Sequence, residues 1–458
     1  MSPGSPSDRD LPATLEEPEE RVRERVRLLT FVLCYDDLLA EQSQTLRLDQ
    51  APSLVLGRKE EGGPGVVLGA GALRLPDRFL SFNHATLTLQ GDDHVLRDAG
   101  SKNGTLVNGA PIGEHTLDDG DLIEVGHSLL CYRVTEEPAA RALLEARAAP
   151  RMGPTRTFCP EVALLWRDLL RVAPSTEPVL IVGQTGSGKE VAAAMIHELS
   201  QRSGALRAVD CGAVPEGLFE SLFFGHRRGA FTGAAEDQPG EVLRAHRGTL
   251  FLDELANLSA ASQAKLLRVI ADGRVMAVGG KEPQAVDVRW VSAANRDLFA
   301  EDGPVRADLL RRLCGHVVRL PPLAQRREDL GALTAHLLRD AGLTRASITT
   351  TAARRLFCSR FPGNVRQLRS ILRRAALLCE QGRIEAAHCE VPDVQGSQGQ
   401  PGEAGEAPRR PPGRPEVVSA LRTTHGNVVK AAGLLGVHPR QVYRWIERFS
   451  LELTSFRA

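Results

Sequence analysis

Residues 179–190, VLIVGQTGSGKE, set an apolar run directly before Gly183, Gly186, Gly188 and Lys189, and a helical stretch follows. Glycines at this spacing let successive backbone N–H groups turn toward phosphate oxygens. The helix start adds partial positive charge, and Lys189 can reach the β and γ phosphates. The octet Gly183, Gln184, Thr185, Gly186, Ser187, Gly188, Lys189, Glu190 therefore reads as a phosphate loop. It departs from the usual form in its last position, where Glu190 replaces the Ser or Thr that holds Mg²⁺. A second element, RGTLFLDEL at 247–255, ends an apolar strand in Asp253 and Glu254. Alone, such a pair is as readily a helix cap. After a phosphate loop, Asp253 suits the Mg²⁺ shell and Glu254 suits polarising an attacking water.

These groups need a sheet to carry them. Between Phe158 and Pro392, strand-like runs (179–182, 249–252, 288–292) alternate with helical stretches such as 261–270, the pattern of a parallel sheet covered by helices. Residues 27–133 instead show short apolar runs separated by Gly, Asp and Asn turns, which reads as an all-β sandwich. The chain has 458 residues, 42% apolar and 25% charged, so several globular domains are expected and wholesale disorder is excluded. The boundaries expected are a disordered tail at 1–25, the sandwich at 26–137, a linker or connecting helix at 138–155, the α/β domain at 156–392, a flexible Gly/Pro-rich tether at 393–415 and a helical end at 416–458.

Fifty-seven basic residues balance 57 acidic ones, so any affinity for nucleic acid must be local. From Arg409 onward, nine basic residues against three acidic leave a charge of +6. The eight scattered cysteines, without a CxxC pair, read as reduced thiols. No apolar run approaches a membrane span and the first residues lack the order of a signal peptide, so a cytoplasmic protein with no membrane partner is expected.

Between the two acidic and glycine-rich elements stands GAFTGA: Gly229, Ala230, Phe231, Thr232, Gly233 and Ala234. With it the α/β segment resembles the AAA+ domain of sigma-54-dependent transcriptional activators, over about 235 residues. The resemblance implies an ATPase core with an α-helical lid, ATP and Mg²⁺ as cofactors, and a homo-oligomeric ring, with a hexamer expected. It also implies a surface loop, tipped by residues 229–234, that touches sigma-54 in its RNA polymerase holoenzyme. By the same resemblance Asn295 in VRWVSAANRDL is the polar sensor at a strand tip. Arg306 and Arg312 would reach into the neighbouring subunit's nucleotide site, and Arg366 in FPGNVRQLRSIL is the sensor arginine of the lid. The Lys189–Glu190 ending of the loop is the family's own. Two positions depart from the family pattern: Asp210 stands where an Asn restrains the catalytic glutamate, and Ala294 where a Thr precedes the sensor Asn.

LVLGR (54–58), LSFNHA (80–85), LRDAGSKNGTLVNG (96–109) and LDDGDLIEVG (117–126) resemble, in order, the motifs of the forkhead-associated (FHA) domain, which binds phosphothreonine peptides through its loops. That implies phosphate or peptide contacts by Arg58, Ser81 and Asn103, added positive charge from Lys102, and a hold on the peptide backbone by Asn108. The ligand would be a phosphothreonine partner or a phosphorylated segment of the chain itself. His84 reads as a structural hydrogen-bonder, Phe82 departs from the pattern, and the alternative role for the sandwich is docking against the ATPase.

The last segment, 424–453, reads as two helices around a turn at Gly436–Val437 and resembles the Fis-type helix-turn-helix. Arg440, Gln441, Tyr443 and Arg444 would meet double-stranded DNA upstream of promoters, while Leu434, Leu435, Val442 and Ile446 pack the motif. The multidomain whole is expected to activate sigma-54 transcription by ATP-driven remodelling under phosphothreonine control. The alternative is a phosphopeptide-responsive DNA-binding switch without sigma-54 contact.

Overall fold

The structure is a computed structural model that describes residues 25–39, 43–49, 52–60, 66–69, 71–148, 156–296, 298–299 and 303–390. At the carboxyl end it describes 414–424, 426–435 and positions 442, 445, 446, 449, 451 and 456. The expected tail, the 393–415 tether and Arg440, Gln441, Tyr443 and Arg444, expected to meet DNA, lie outside the described residues, apart from the edges of the first two.

Twelve strands build the sandwich. One sheet runs β2 (Gln44–Arg47), β1 (Arg25–Cys34), β12 (Ser128–Glu136), β11 (Leu122–Val125), β8 (Thr105–Val107), β9 (Ala110–Ile112). The other runs β10 (Glu114–Thr116), β7 (Asp93–Asp98), β6 (Ala85–Gln90), β3 (Ser53–Arg58), β5 (Ala72–Leu75), β4 (Val67–Gly69). Side chains alternate between faces along a strand, so β6 buries Ala85 and Leu87 and leaves the intervening threonines half-buried. Leu29, Phe31, Leu54, Leu56, Ile123 and Leu130 fill the space between the sheets. In β1 and β12 the alternation is lost, because Val26, Leu28, Val32, Leu129 and Cys131 on the outer face are buried as well. A strand buried on both faces needs a third layer.

That layer comes from the rest of the chain. Helix α1 (Glu137–Ala148) is the connecting helix, and with α2 (Pro160–Val172) it covers Val26 and Leu28 through Ala140, Leu143 and Ala163. The α/β domain holds a five-stranded parallel sheet in the order β14 (Leu206–Asp210), β17 (Thr249–Asp253), β20 (Arg289–Ala294), β13 (Val179–Val182), β21 (His316–Arg319). Helix α3 (Lys189–Leu199) follows β13 on one face. On the other, α4 (Phe219–Phe224), α5 (Glu241–Arg244), α6 (Ala260–Asp272) and α7 (Ala307–Leu313) pack on Leu180, Leu250, Leu252 and Trp290. Ser259 caps α6 and Gly273 ends it at a φ of 61°. Two short hairpins, β15 (Gly225–His226) with β16 (Gln238–Pro239) and β18 (Arg274–Val275) with β19 (Gln284–Ala285), project from this domain.

The lid, α8 (Leu330–Asp340), α9 (Thr350–Phe357) and α10 (Asn364–Leu378), shares one core with the outer face of the sandwich. Val32, Leu33, Tyr35, Leu38 and Cys131 pack with Leu330, Leu338, Phe357 and Leu372. Gly331 lets α8 meet β1, since a Cβ there would overlap the Val32 carbonyl oxygen. Backbone bonds seal the edge, from Leu38 N–H to Ala346 O and from Ile348 N–H to Tyr35 O, both 2.8 Å. Arg354 on α9 grips the buried Glu124 carboxylate at 2.7–3.0 Å.

At the carboxyl end, α11 (Arg414–Thr423) and α12 (Val428–Leu435) enclose a separate core of Val417, Leu421, Val428, Ala431, Ala432, Val442, Trp445 and Ile446. Leu435 is partly buried against it, but Leu434, expected to pack the motif, is 61% exposed. The inward face of α12 runs through 428, 431, 432 and 435, and position 434 falls outside that stripe. Among the described residues, no helix is long and apolar enough to cross a membrane.

Candidate active site

The phosphate loop leaves β13 at Gly183, whose N–H bonds to Ala294 O (3.0 Å), and enters α3 at Lys189. Gly186 and Gly188 hold φ values of 76° and 105°, a region that glycine occupies without a Cβ clash. Lys189 is buried, and its Nζ donates to Gly183 O at 3.2 Å across the inside of the turn. Ser187 is buried too, and its hydroxyl has no protein partner. Gln184, Thr185 and Glu190 are exposed. A cradle of turned-in amides, a buried ammonium group and an orphan hydroxyl before a helix start suits a polyphosphate.

Across the sheet, β17 ends in Asp253, whose Oδ1 accepts the Glu254 N–H at 2.9 Å. Glu254 adopts a φ of 53°, and its Oε2 accepts from Asn257 Nδ2 at 2.7 Å. Asp210 lies opposite Asp253 in the register of β14 and β17. As a carboxylate it cannot donate to Glu254, and it accepts the Gly212 N–H at 2.9 Å. The amide that holds Glu254 is therefore Asn257, which sequence reasoning missed. Its only sequence signal is an Asn three residues past the Asp–Glu pair. Asn295 is exposed directly beyond the last residue of β20.

The lid closes on the loop from above. Asn364, fully buried at the start of α10 with a φ of 53°, donates through Nδ2 to Thr185 O (3.0 Å) and Gln184 Oε1 (3.2 Å). Val365 N–H reaches Gly186 O at 3.0 Å, and a Cβ on Gly186 would overlap the Gly363 carbonyl oxygen. Arg366 is exposed at this contact. Arg326, another residue not foreseen, donates to Ser187 O at 2.6 Å from a buried position.

Arg306 and Arg312 are exposed around α7. Arg306 is held in a bidentate pair with Asp308 (3.1 and 2.7 Å), and that pairing keeps the Asp308 carboxyl down at about 2. Residues 229–234 form a tight turn above the β15–β16 hairpin, closed by Gly229 N–H to Ala234 O (2.9 Å) and Ala234 N–H to Phe231 O (3.0 Å). Thr232 is exposed, Phe231 is 43% exposed, and the Phe231 ring stands edge-on to His226 at 4.9 Å. The base is pinned to the next loop by Arg227 N–H to Val278 O and Val278 N–H to Gly225 O.

On the sandwich, Arg58, Lys102 and Asn103 are exposed and Ser81 is half-buried. Ser81 Oγ accepts the Lys102 N–H (3.2 Å) and Arg58 N–H bonds to Ser81 O (2.9 Å), so the loops carrying these groups are tied together. Asn103 Nδ2 donates to Phe79 O at 2.7 Å. Asn108 Nδ2 donates to Asp121 (2.7 Å) and its Oδ1 accepts from Leu122 N–H (3.1 Å), which locks the β8–β9 turn to β11 and leaves the second Nδ2 hydrogen for a ligand. His84 is fully buried between Ser81 N–H and Gly104 O, a structural bridge. Phe82 is exposed beneath the Arg74 guanidinium, 4.1 Å from the ring centroid.

The eight cysteines are free thiols. Burial pushes Cys34 and Cys211 up to about 12 and Cys314 and Cys389 up to about 11, which leaves them poor nucleophiles.

Comparison with known proteins places four families along the chain: the FHA domain at residues 55–126, the sigma-54 interaction domain at 158–319, an AAA+ ATPase lid domain at 324–405 and the Fis family of bacterial regulatory proteins at 414–449. The response regulator protein PilR of Pseudomonas aeruginosa is 44% identical over 260 residues, 55% of this chain and 58% of that protein. The DNA-binding transcriptional regulator NtrC of Azospirillum brasilense is 40% identical over 250 residues, 53% of this chain and 52% of that protein. The chain thus spans little more than half the length of the curated relatives it matches. The crystal structure of NtrX from Brucella abortus in complex with ATP aligns at 27% identity and a TM-score of 0.48, covering 67% of this chain and 71% of that one.

Proposed function

We propose that this chain, which carries an FHA sandwich, a sigma-54 interaction domain with its AAA+ lid and a Fis-type motif, is a sigma-54-dependent activator that couples ATP hydrolysis to the opening of promoters by sigma-54 RNA polymerase. The observation that carries this reading is the phosphate cradle, with Lys189 buried inside it and Asp253 and Glu254 at the end of β17. Loop amides and Lys189 bind the phosphates. Asp253, with Glu190, would hold Mg²⁺, which neutralises charge on the phosphates when bound. Glu254, oriented by Asn257, takes a proton from the attacking water. Asn295 stands at the sheet edge where it senses the γ-phosphate. Arg366 does the same from the lid.

Hydrolysis is assigned to a ring, with a hexamer expected, because Arg306, at the start of α7, and Arg312 on it are exposed and so free to serve a neighbour's site. In the isolated chain Arg306 is parked on Asp308, so assembly exchanges one anionic partner for another. The exposed Phe231 and Thr232 are the contact to sigma-54, on a turn whose glycines allow the sharp reversal. The carboxyl-terminal helices bind upstream DNA.

Phosphothreonine recognition falls to Arg58, Ser81, Lys102 and Asn103, with Asn108 holding the peptide backbone. A line of contacts supports a regulatory role for that end. Asn103 touches Phe79, whose ring stacks on His127 at 3.7 Å, and His127 O accepts the Tyr35 N–H. Tyr35 in turn stacks on Phe357 of the lid at 6.5 Å.

Purified protein should turn over ATP. Glu254→Gln should remove turnover and retain nucleotide binding, because it removes the proton acceptor and leaves the cradle intact. Absence of turnover in the unaltered protein, with DNA and phosphopeptide binding retained, would favour the nucleotide-independent switch.

A further inference from the structure

One turn, residues 323–329, touches both the phosphate loop and the sandwich. On its inner side Leu323 N–H donates to Asn364 Oδ1 at 2.7 Å, and the same Asn364 side chain holds Gln184 and Thr185. Arg326 donates to Ser187 O, while its Nε is buried without a partner. Arg326 thus ties the backbone of the turn to the phosphate loop.

On its outer side the turn is gripped by Arg133 of β12. Arg133 NH1 donates to Gln325 O at 3.2 Å, NH2 to Glu161 Oε2 at 2.9 Å, and Nε stands 2.9 Å from Glu328 Oε1. Asp329 closes the same knot by accepting from Thr157 Oγ1 (2.9 Å) and Phe158 N–H (2.6 Å). Arg133 is 8% exposed and Glu328 is fully buried. Two ionisable groups this deep are costly to desolvate, and removing one of them leaves the other buried without its partner. Adjacent residues of the turn thus make the two contacts: Gln325 accepts from the sandwich and Arg326 donates to the phosphate loop.

We propose that Arg133 is a positioning residue for the nucleotide site: the sandwich, seated on the lid, fixes the 323–329 turn and through it the phosphate loop, so nucleotide affinity depends on that seating. The inference rests on the reading of residues 183–190 as the nucleotide site. By reciprocity, bound nucleotide must strengthen the seating by the same factor.

The test titrates a fluorescent ADP analogue into three full-length proteins. These are the unaltered chain, the paired variant Arg133→Met with Glu328→Met, and a control pair, Arg354→Met with Glu124→Met, that loosens the same interface where it is not wired to the turn. Both pairs lower the melting temperature, which a merely structural role would also produce. The expected split is an ADP affinity weakened about tenfold in the first pair and within about twofold of the unaltered protein in the control. Equal affinities in all three, or an equal loss in both pairs, would overturn the proposal. No binding by the unaltered chain would remove the phosphate-loop reading itself, and the proposal with it. A second measurement needs no variant: ADP should slow amide hydrogen exchange in β12 around Tyr132 and Arg133. Unchanged exchange there, with ADP bound, contradicts the coupling.

Discussion

The modules at the two ends are built to opposite plans. The sandwich presents an outer face of Val26, Leu28, Val32, Leu129 and Cys131 that the ATPase and its lid bury completely. The carboxyl-terminal helices keep their apolar side chains in a core made only of their own residues, among those described. The first module is thus part of the ATPase body. The second is a self-contained unit. On the proposed function, a signal received at the sandwich would reach the lid through packing, whereas the carboxyl-terminal unit has no shared core with the ATPase fold among the described residues.

A buried charge breaks this contrast open most strongly. Val32→Asp puts a carboxylate into the apolar core that β1 shares with Leu330 and Leu338 of the lid, so the sandwich and lid should lose their seat and soluble, nucleotide-binding protein should largely disappear. Leu421→Asp should unfold only the carboxyl-terminal unit, abolishing DNA retention with ATP turnover unchanged. If Leu421→Asp also stopped turnover, the ends would not differ as described. A milder version is Phe357→Ala, which removes a ring from the shared core and should cost about 3–5 kcal/mol in the main unfolding transition. Trp445→Ala, of comparable size, should leave that transition in place and affect only the small unit, as differential scanning calorimetry would separate.

The smallest expected effect is one of pH. Burial raises the Glu328 carboxyl to about 8, with Arg133 from β12 opposing it and Glu161 and Asp329 reinforcing it. Cys131 of β12, Cys159 directly before α2, Asp119 beside β12, and Arg326 and Arg327 in its own turn are the other charged or titratable neighbours. A carboxyl whose value is raised on folding contributes stability that is complete below its ordinary value near 4.5 and fades as pH rises through 8. The melting temperature of the main transition should therefore fall by a few degrees between pH 6 and pH 9, and Glu328→Gln should flatten that slope. An unchanged slope in the variant would assign the effect elsewhere.

Local chemistry was readable where motif and geometry depend on neighbours in sequence. The glycine spacing at 183–188 forces the loop, and the apolar run ending in Asp253 forces a strand end. The docking of the sandwich had a signal too: RVRLLTFVLC in β1 is apolar on both faces, which an isolated sandwich leaves unexplained. Arg133, Arg326 and Asn364 were invisible. Their roles arise from contacts between segments far apart in the chain, such as Arg133 with Gln325 or Asn364 with Thr185. The Asp210 departure finds a physical counterpart in Asn257, since the donor to Glu254 now comes from the next turn.

The most direct test of the central claim is promoter opening by purified sigma-54 RNA polymerase on a supercoiled template, read by permanganate reactivity of unpaired thymines. With ATP, the unaltered protein should expose the melted region. Phe231→Ala with Thr232→Ala should hydrolyse ATP and leave the promoter closed. Opening by that variant equal to the unaltered protein would contradict the account.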